Sequence, residues 1–417
     1  MNHPARCGTW KTRCWPKAKS GCASASNRNS NKPPTAPVGF PPQSQRRLHH
    51  ARAQALHLRT VVGVVELRVW HGLDPATHRW GCPVRQHWGL RAHQQLSPGL
   101  QDRLAFTVTA TGTYEQAAAV AAKWGSPVTD ATLHALVQRL GAQAETQMQQ
   151  RLATVPREVV PPRAPSALTV LMLDGWQVRQ RGPGWGCRKT KPARVEWHEL
   201  KTGVAYRHDQ AGTTATGRGL LAEKRVVSWQ GEPLELGRRL HWEALRHGLG
   251  RSREVLVVAD GAPWIWKVAA DRWRGATQLL DFYHASHHLW ELGRAVSGGD
   301  DVRAAAWVAP RRHRLRHGKE RALLRELAAL RPPRGAAGEI VRREQRYFAG
   351  HAARLHYAAL AQRGWPIGSG AVESACRQRQ CRFKRPGQFW TATGLRHLGA
   401  LVEAQTNNHW EELWRLN

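Results

Sequence analysis

The chain has 417 residues, enough for two or three domains with real hydrophobic cores, and its 63 Lys+Arg against 30 Asp+Glu leave a formal charge of +33. That imbalance points to a polyanionic partner, nucleic acid first, because basic side chains displace condensed counterions from phosphates, although GC-rich coding contributes to it through Arg, Ala and Gly. Seven scattered cysteines with no CxxC pair support neither a disulfide framework nor a zinc ribbon; the lack of an apolar run of about 18 residues or a cleavable leader argues for a reducing cytoplasm, in association with the nucleoid, and against membrane insertion or secretion.

Residues 1–50 are rich in Ser, Asn and Pro, and the first acidic residue is Glu66. Such a segment reads as a disordered basic arm or a misassigned start, since it has too little apolar surface to order itself. Residues 60–70, "TVVGVVELRVW", predict a strand, and Ser97-Pro98 a helix start. Over 113–141, Ala117, Val120 and Ala121 give one apolar helical face, Gly125 a break and Thr129 a cap; Leu133, Leu136, Val137 and Leu140 give a second face, stopped by Gly141. This is a helix-turn-helix pattern, or an ordinary helical hairpin. In the DNA-binding reading the second helix exposes Thr132, His134, Gln138 and Arg139 to the major groove, and residues 51–154 form an N-terminal DNA-binding region.

The proline-broken stretch 155–165 reads as a linker. Beyond it the period changes. "ALTVLMLDGWQVR" (167–179) is a buried strand interrupted by Asp174, "RVEWHELKTGVAYRH" (194–208) a strand with a Lys-Thr-Gly turn, and "KRVVSWQG" a third. The helix "EPLELGRRLHWEALRHGL" precedes a second apolar strand ending at Asp260, and "TQLLDFYHASHHLWELG" (277–293) gives strand then helix. Three antiparallel strands, a helix and a strand is the order of an RNase H-like α/β core, expected over 166–299 and 363–417, with an all-helical insertion over 300–362.

Two of the ten aspartates, Asp174 and Asp260, end very apolar strands, in "VLMLDG" and "VLVVADG". A charge there is costly unless paired or metal-bound; the plainer reading is that each opens a turn with the following glycine. Glu373 is the lone carboxylate between Glu344 and Glu403, followed by Arg377, Arg379, Arg382, Lys384 and Arg385. Either it pairs with Arg377 one turn on, or Ser369 caps a helix that carries it to the two aspartates while Arg377, Arg379, Lys384 and Arg385 meet DNA phosphates. Three carboxylates suffice for two Mg²⁺ or Mn²⁺ ions, which keep several waters and promote in-line phosphodiester displacement. "DFYHASHHLW" adds Asp281, His284, His287 and His288; it reads equally as a structural Asp–His pair, and no matching zinc ligands accompany it.

In these blocks, "LMLDGW", "VVADGA", "LLDFYH", "PIGSGAVESAC" and "RFKRPGQFW", and in the helix-turn-helix pattern, the sequence resembles the DDE transposases of bacterial insertion sequences, most closely the ISKra-type group related to the Mutator-like superfamily. The resemblance runs from about residue 55 to the C-terminus. It implies an RNase H-like fold with a helical insertion, Asp174, Asp260 and Glu373 as the catalytic metal-binding triad, and Asp281 and His284 as an accessory element. It also implies metal-dependent cleavage at the terminal inverted repeats of an element, attack of the freed 3'-hydroxyl on target DNA, and a dimer or larger assembly on DNA. Many relatives carry paired cysteines before the helix-turn-helix, where "WHGLDPATHRWGCPV" keeps only Cys82, so zinc is not expected. The competing functions are a catalytically inactive DNA-binding protein, decayed or co-opted, and an RNase H-like nuclease that cuts without joining.

Overall fold

The computed structural model describes residues 48–88, 90, 94–154, 168–186, 194–217 and 219–414. The predicted linker 155–165 and residues 1–47 of the predicted basic arm lie outside them. The chain divides into two compact units, one reaching Leu58 and resuming over Val64–Gln95, the other comprising Arg59–Gly63 and Leu96 onward.

The first unit is built on a three-stranded sheet, β1 (His49–Thr60), β2 (Gly63–Asp74) and β3 (Arg79–Gly81), followed by a short helix α1 (Pro83–His87). The stretch read as one strand over 60–70 is therefore the turn of a hairpin and part of its second arm. Gly63, at φ +119°, takes a conformation that a β-branched residue would resist, which is what lets the run of valines reverse. Leu56, Val69 and Cys82 form a small core.

In the second unit the predicted helices form as α2 (Pro98–Ala110), α3 (Tyr114–Lys123) and α4 (Asp130–Ala153). Ser97, Thr113 and Thr129 cap them by accepting hydrogen bonds from Leu100 N, Gln116 N and Thr132 N, each satisfying one of the free amides of a helix start. Gly141 does not end α4, which continues to Ala153. A side chain at Gly141 would overlap His397, so the glycine sets a close helix crossing and is no terminator. Leu100, Leu104, Val108, Leu133 and Val137 belong to the same continuous core as the sheet below. The helices are thus part of the second unit, whose division from the first falls near residue 95.

The main sheet has the order β10-β9-β4-β5-β8. The long strands β4 (Thr169–Arg181) and β5 (Val195–Arg207) pair antiparallel along their whole length, and β8 (Arg225–Trp229) is antiparallel to β5. On the other side β9 (Val255–Ala259) is parallel to β4, and β10 (Thr277–Leu280) to β9. A small hairpin, β6 (Ala211–Thr213) with β7 (Gly219–Leu221), precedes β8. The expected Lys201-Thr202-Gly203 turn is absent, because the strand runs straight through. Thr202 is fully buried and bonded to Trp176 Nε1 (3.1 Å) and Ser228 Oγ (3.0 Å), and Gly203 leaves room for Leu240.

Helices α5 (Pro233–Arg246) and α6 (Pro263–Arg272) alternate with the strands, and α7 (Phe282–Val296) follows β10. The stretch expected to be an all-helical insertion holds α8 (Asp301–Arg316), α9 (Glu320–Ala329), α10 (Ala336–Gly350) and α11 (Tyr357–Gln362). The chain then returns through α12 (Gly370–Phe383), packed on β4 and β5, and α13 (Ala392–Thr406), packed on α4. The described residues make a mixed α/β chain, and none of their helices is long and apolar enough to cross a membrane.

Candidate active site

Asp174 and Asp260 stand side by side because β4 and β9 are parallel and Leu173 is in register with Ala259. Each aspartate follows its register partner. The turn reading holds at Asp260 alone, where Oδ1 accepts from Ala262 N (3.0 Å) across a Gly261 at φ +103°. Asp174 neither opens a turn nor ends its strand, since β4 runs on to Arg181, and its Oδ1 accepts from Gly175 N (2.7 Å) within the strand. Neither aspartate forms an ion pair with Arg or Lys among the described residues, and Asp174 has the Cys376 thiol as a second hydrogen-bond partner. Burial raises the pKa of Asp174 above the ordinary carboxylate value, and the charge of Asp260 raises it further against the Gly175 amide, which lowers it. A neighbouring carboxylate charge that raises the proton affinity of Asp174 also favours an arriving cation.

The remaining members come from the heads of α7 and α12. Asp281, fully buried, caps α7 through Oδ1, which accepts from His284 N (2.7 Å), while Oδ2 accepts from Ser369 N. One carboxylate therefore ties two helix starts together. Gly368, against the Tyr283 ring and near Asp281 Oδ2, has no room for a side chain. Ser369 acts differently from the expected cap: its side chain does not hold the helix amides, and Oγ instead donates to Glu373 Oε1 (3.1 Å). Glu373 makes no ion pair with Arg377 among the described residues, which removes the plainer account of that carboxylate.

His284 Nδ1 lies 3.3 Å from Asp281 Oδ1. The bond to Asp281, with the charges of Asp260 and Glu373, raises the pKa of His284 above the ordinary imidazole value despite its burial. Burial would raise the pKa of Asp281, but bonds from His284 and Ser369 outweigh it and hold the group low. Asp281, His284 and Glu373 offer ligand atoms that all lie within 4.8 Å of one another, a group able to hold a metal ion. Asp174 and Asp260 are outside that tight group. The charge of Asp260 nonetheless reaches both Asp174 and His284, and His284 reaches Asp174, so all five sequence-predicted acid and histidine positions meet in one region.

Two participants escaped the sequence reading. Cys376, three residues after Glu373 on the same side of α12, is buried beside Asp174; burial first, then the charge of Asp174, pushes its thiol pKa far up. Its signal was the i,i+3 spacing from Glu373. Tyr347, from the helical segment, donates through Oη to Asp260 O (2.9 Å). Its ring stacks on His288 at 3.6 Å, and His288 Nδ1 meets the buried Glu344 at 2.6 Å. Arg343 Nε completes that carboxylate at 2.6 Å. His288 thus faces inward while His287 is exposed.

The predicted DNA contacts divide. Arg377 is exposed, but Arg379 is only 6% exposed and cannot meet a phosphate in this conformation. Two residues apart on a helix is about 200°, so both could not face outward. Lys384 and Arg385 are half-buried, Lys384 over the Trp197 ring at 5.3 Å and Arg385 across Gly112. On α4 His134 is exposed, whereas Thr132 is half-buried and bonded to Thr129. Gln138 Oε1 pairs with His397 Nδ1 (2.8 Å), and Arg139 donates to Gln101. Those last two side chains are taken up in packing α4 against α13 and α2, contrary to the expected exposure.

No protein-family model matches this chain, and none of the curated proteins matches it. Among solved structures the chain is similar, at 10% identity, to the Drosophila P element transposase strand transfer complex. The alignment has a TM-score of 0.24 and spans 80% of this chain and 82% of that one. A likeness at that score carries no argument about fold or function.

Proposed function

We propose that this protein is a DDE-type transposase, a DNA strand-cleaving and strand-joining enzyme whose core is RNase H-like. The observation that carries the reading is the meeting of Asp174, Asp260, Asp281, His284 and Glu373 where the parallel pairing of β4 with β9 ends beside the heads of α7 and α12. The sheet order, three antiparallel strands flanked by two parallel ones, supports the RNase H-like assignment, and the sequence blocks that resemble the ISKra-type group lie at these same elements. The charge of +33 supports DNA as the substrate, with the terminal repeats of an element and target DNA as the partners and at least a dimer to hold two ends.

The donor set fits a hard divalent cation. Asp174, Asp260 and Glu373 each accept from a neighbouring N–H or O–H, with the Cys376 thiol as a further partner of Asp174. None is neutralised by Arg or Lys among the described residues, which suits Mg²⁺ or Mn²⁺ with their preference for carboxylate oxygen. In the proposal two ions bind these three residues and supply Lewis acidity and an activated water or hydroxyl. Asp281 has both oxygens engaged by backbone amides, so its role is to fix His284 and Ser369, and through Ser369 the carboxylate of Glu373. His284, held toward its protonated form by Asp281, is suited to deliver a proton from Nε2 to a departing oxygen or to face a phosphate. Thr132 and His134 on α4, with Arg377, Lys384 and Arg385, remain candidates for DNA contact, α3 and α4 being the helix-turn-helix of this reading.

The test is an excision assay on a plasmid carrying this gene between its natural flanking sequences, with the purified protein assayed for strand cleavage and strand transfer in Mg²⁺ or Mn²⁺. Excision together with strand-transfer products is expected. Cleavage without joining would replace the transposase by a nuclease, and DNA binding with no cleavage under either ion would replace the enzyme by a binding protein.

A further inference from the structure

The far end of the β4–β5 ribbon carries side chains that the catalytic reading does not use. Arg179 and Trp197 are cross-strand partners, so they share one face. Trp197 is 55% exposed, and its ring has two cations over it, Arg179 at 5.9 Å and Lys384 at 5.3 Å. Arg179 also lies over Phe389 at 5.1 Å, Phe389 packs on Trp185 at 4.8 Å, and Arg181 lies over Trp185 at 5.6 Å. Cations and rings follow one another in an unbroken series from Lys384 to Arg181, with two rings, Phe389 and Trp185, adjacent in it.

A purely structural ridge would bury its rings and pair its cations with carboxylates. Here the ring is open, and neither Arg179, Arg181 nor Lys384 has a carboxylate partner among the described residues. Glu196, the nearest acid in sequence to Trp197, pairs with Gln180 and lies on the opposite face of the ribbon. Arg179 and Arg181 are held in place from behind, donating to the carbonyls of Arg385 and Phe389. These two guanidinium groups are thereby anchored. Phosphates satisfy such cations, and flat bases satisfy exposed rings and guanidinium planes; only a strand with unpaired bases offers both at once.

We propose that Lys384, Trp197, Arg179, Phe389, Trp185 and Arg181 form a platform for single-stranded DNA, with an unpaired base on Trp197 and the backbone along the three cations. It depends on the transposase reading only in expecting DNA as the polyanion. Duplex DNA keeps its bases stacked and meets this ridge through phosphates alone.

The experiment is fluorescence anisotropy of the full-length protein in EDTA, with a labelled oligothymidylate of about 20 nucleotides, long enough to cover one such site, an oligouridylate of the same length and a matched duplex. Trp197→Ala is expected to weaken oligothymidylate binding roughly ten-fold and leave duplex binding unchanged, with Trp197→Phe retaining most of the affinity, because any ring can stack. Lys384→Ala is expected to lower the salt slope for the single strand by about 0.7. An unchanged thermal midpoint for Trp197→Ala shows that the fold is intact. Equal binding by wild type, Trp197→Ala and Trp197→Phe overturns the platform, as does an equal loss on duplex and single strand, and tighter binding of oligouridylate overturns the assignment to DNA. Absence of metal-dependent cleavage with the single-strand result intact would count against the enzyme and leave the platform standing.

Discussion

Two buried acidic regions of this molecule use carboxylates in opposite ways. Between α4, α5 and α13, both oxygens of Glu145 receive Arg239, at 3.1 and 3.0 Å, and Arg239 Nε donates to Glu235 at 3.0 Å. The Arg239 side chain is 3% exposed and also lies 4.0 Å from the centre of the Trp229 ring. At the head of the sheet, Asp174, Asp260 and Glu373 have no arginine or lysine partner among the described residues, only uncharged N–H, O–H or S–H neighbours. A carboxylate with a bidentate guanidinium is finished as a structure, whereas one held by uncharged neighbours is aimed and left open. That difference separates packing from chemistry more clearly than burial does.

The largest expected effect tests the open side. Asp260→Asn or Glu373→Gln should lower metal-dependent strand cleavage by at least about a thousand-fold, since several kcal/mol of transition-state stabilisation are lost at 1.36 kcal/mol per factor of ten. EDTA should do the same to wild type. Thermal stability should stay level or rise, because removing a charge from a crowded acidic site relieves repulsion. Gel assays of cleavage and a melting curve on the same preparations decide it; a variant that cuts normally, or that fails only because it unfolds, would erase the distinction.

The closed side predicts the reverse pattern. Arg239→Met should cost about 3–5 kcal/mol of folding stability, because it leaves Glu145 inside without its partner, and a urea titration would read this as a lower midpoint. A cost under about 1 kcal/mol would mean that water already screens the pair. Replacing Glu145 and Arg239 together by apolar residues should restore much of the loss.

Glu403 sits between the two cases and makes the comparison sharper. It is 9% exposed, accepts from Ser228 N at 2.7 Å, and lies in the field of Arg379, Arg239 and Glu145. Burial raises its pKa from 4.5 to about 7 against the attraction of Arg379, whose own pKa burial lowers. Desolvation therefore outweighs the attraction on both partners. A folded pKa above the unfolded one means stability that is full below about pH 4.5 and is lost as pH rises through about 7. The change is worth about 3 kcal/mol at 1.36 kcal/mol per unit. Glu403→Gln should flatten the stability profile between those values, and an unaltered profile would place the titration elsewhere.

What the sequence made legible depends on what local pattern can encode. "VVADG" announced a strand end, because a charge after a buried apolar run has few explanations, and "TQLLDFYH" a strand followed by a helix; "VLMLDG" marked Asp174 but not the end of its strand, which runs on to Arg181. The basic run after Glu373 misled at Arg379 because composition is blind to helical phase. From Glu373, steps of three reach Cys376, Arg379 and Arg382, and from Cys376 onward this stripe is buried, while Arg377 and Gln378 face outward. Gly141 and Gly203 misled for another reason. Each is small to admit a neighbour distant in sequence, His397 or Leu240, and a glycine that makes room reads locally like one that makes a turn. Tyr347 had no local signal, since its partner Asp260 is 87 residues away.

Tyr347 gives the smallest and most selective test. Its hydroxyl touches the Asp260 carbonyl and not the carboxylate, and Gly261 beside it is packed against His351, Leu280 and the same hydroxyl. It is a positioning residue, through which α10 reaches the loop that carries Asp260. Tyr347→Phe keeps the ring on His288 and removes one hydrogen bond, costing about 1 kcal/mol of stability. If the hydroxyl aims the carboxylate, cleavage should fall roughly ten-fold, with the loss concentrated in metal affinity, so that excess Mn²⁺ restores much of the rate. A purely structural role would lower the melting temperature and leave the metal titration where it was. Equal rates at every metal concentration would detach the helical segment from catalysis and leave β4, β9 and the heads of α7 and α12 as the whole of the site.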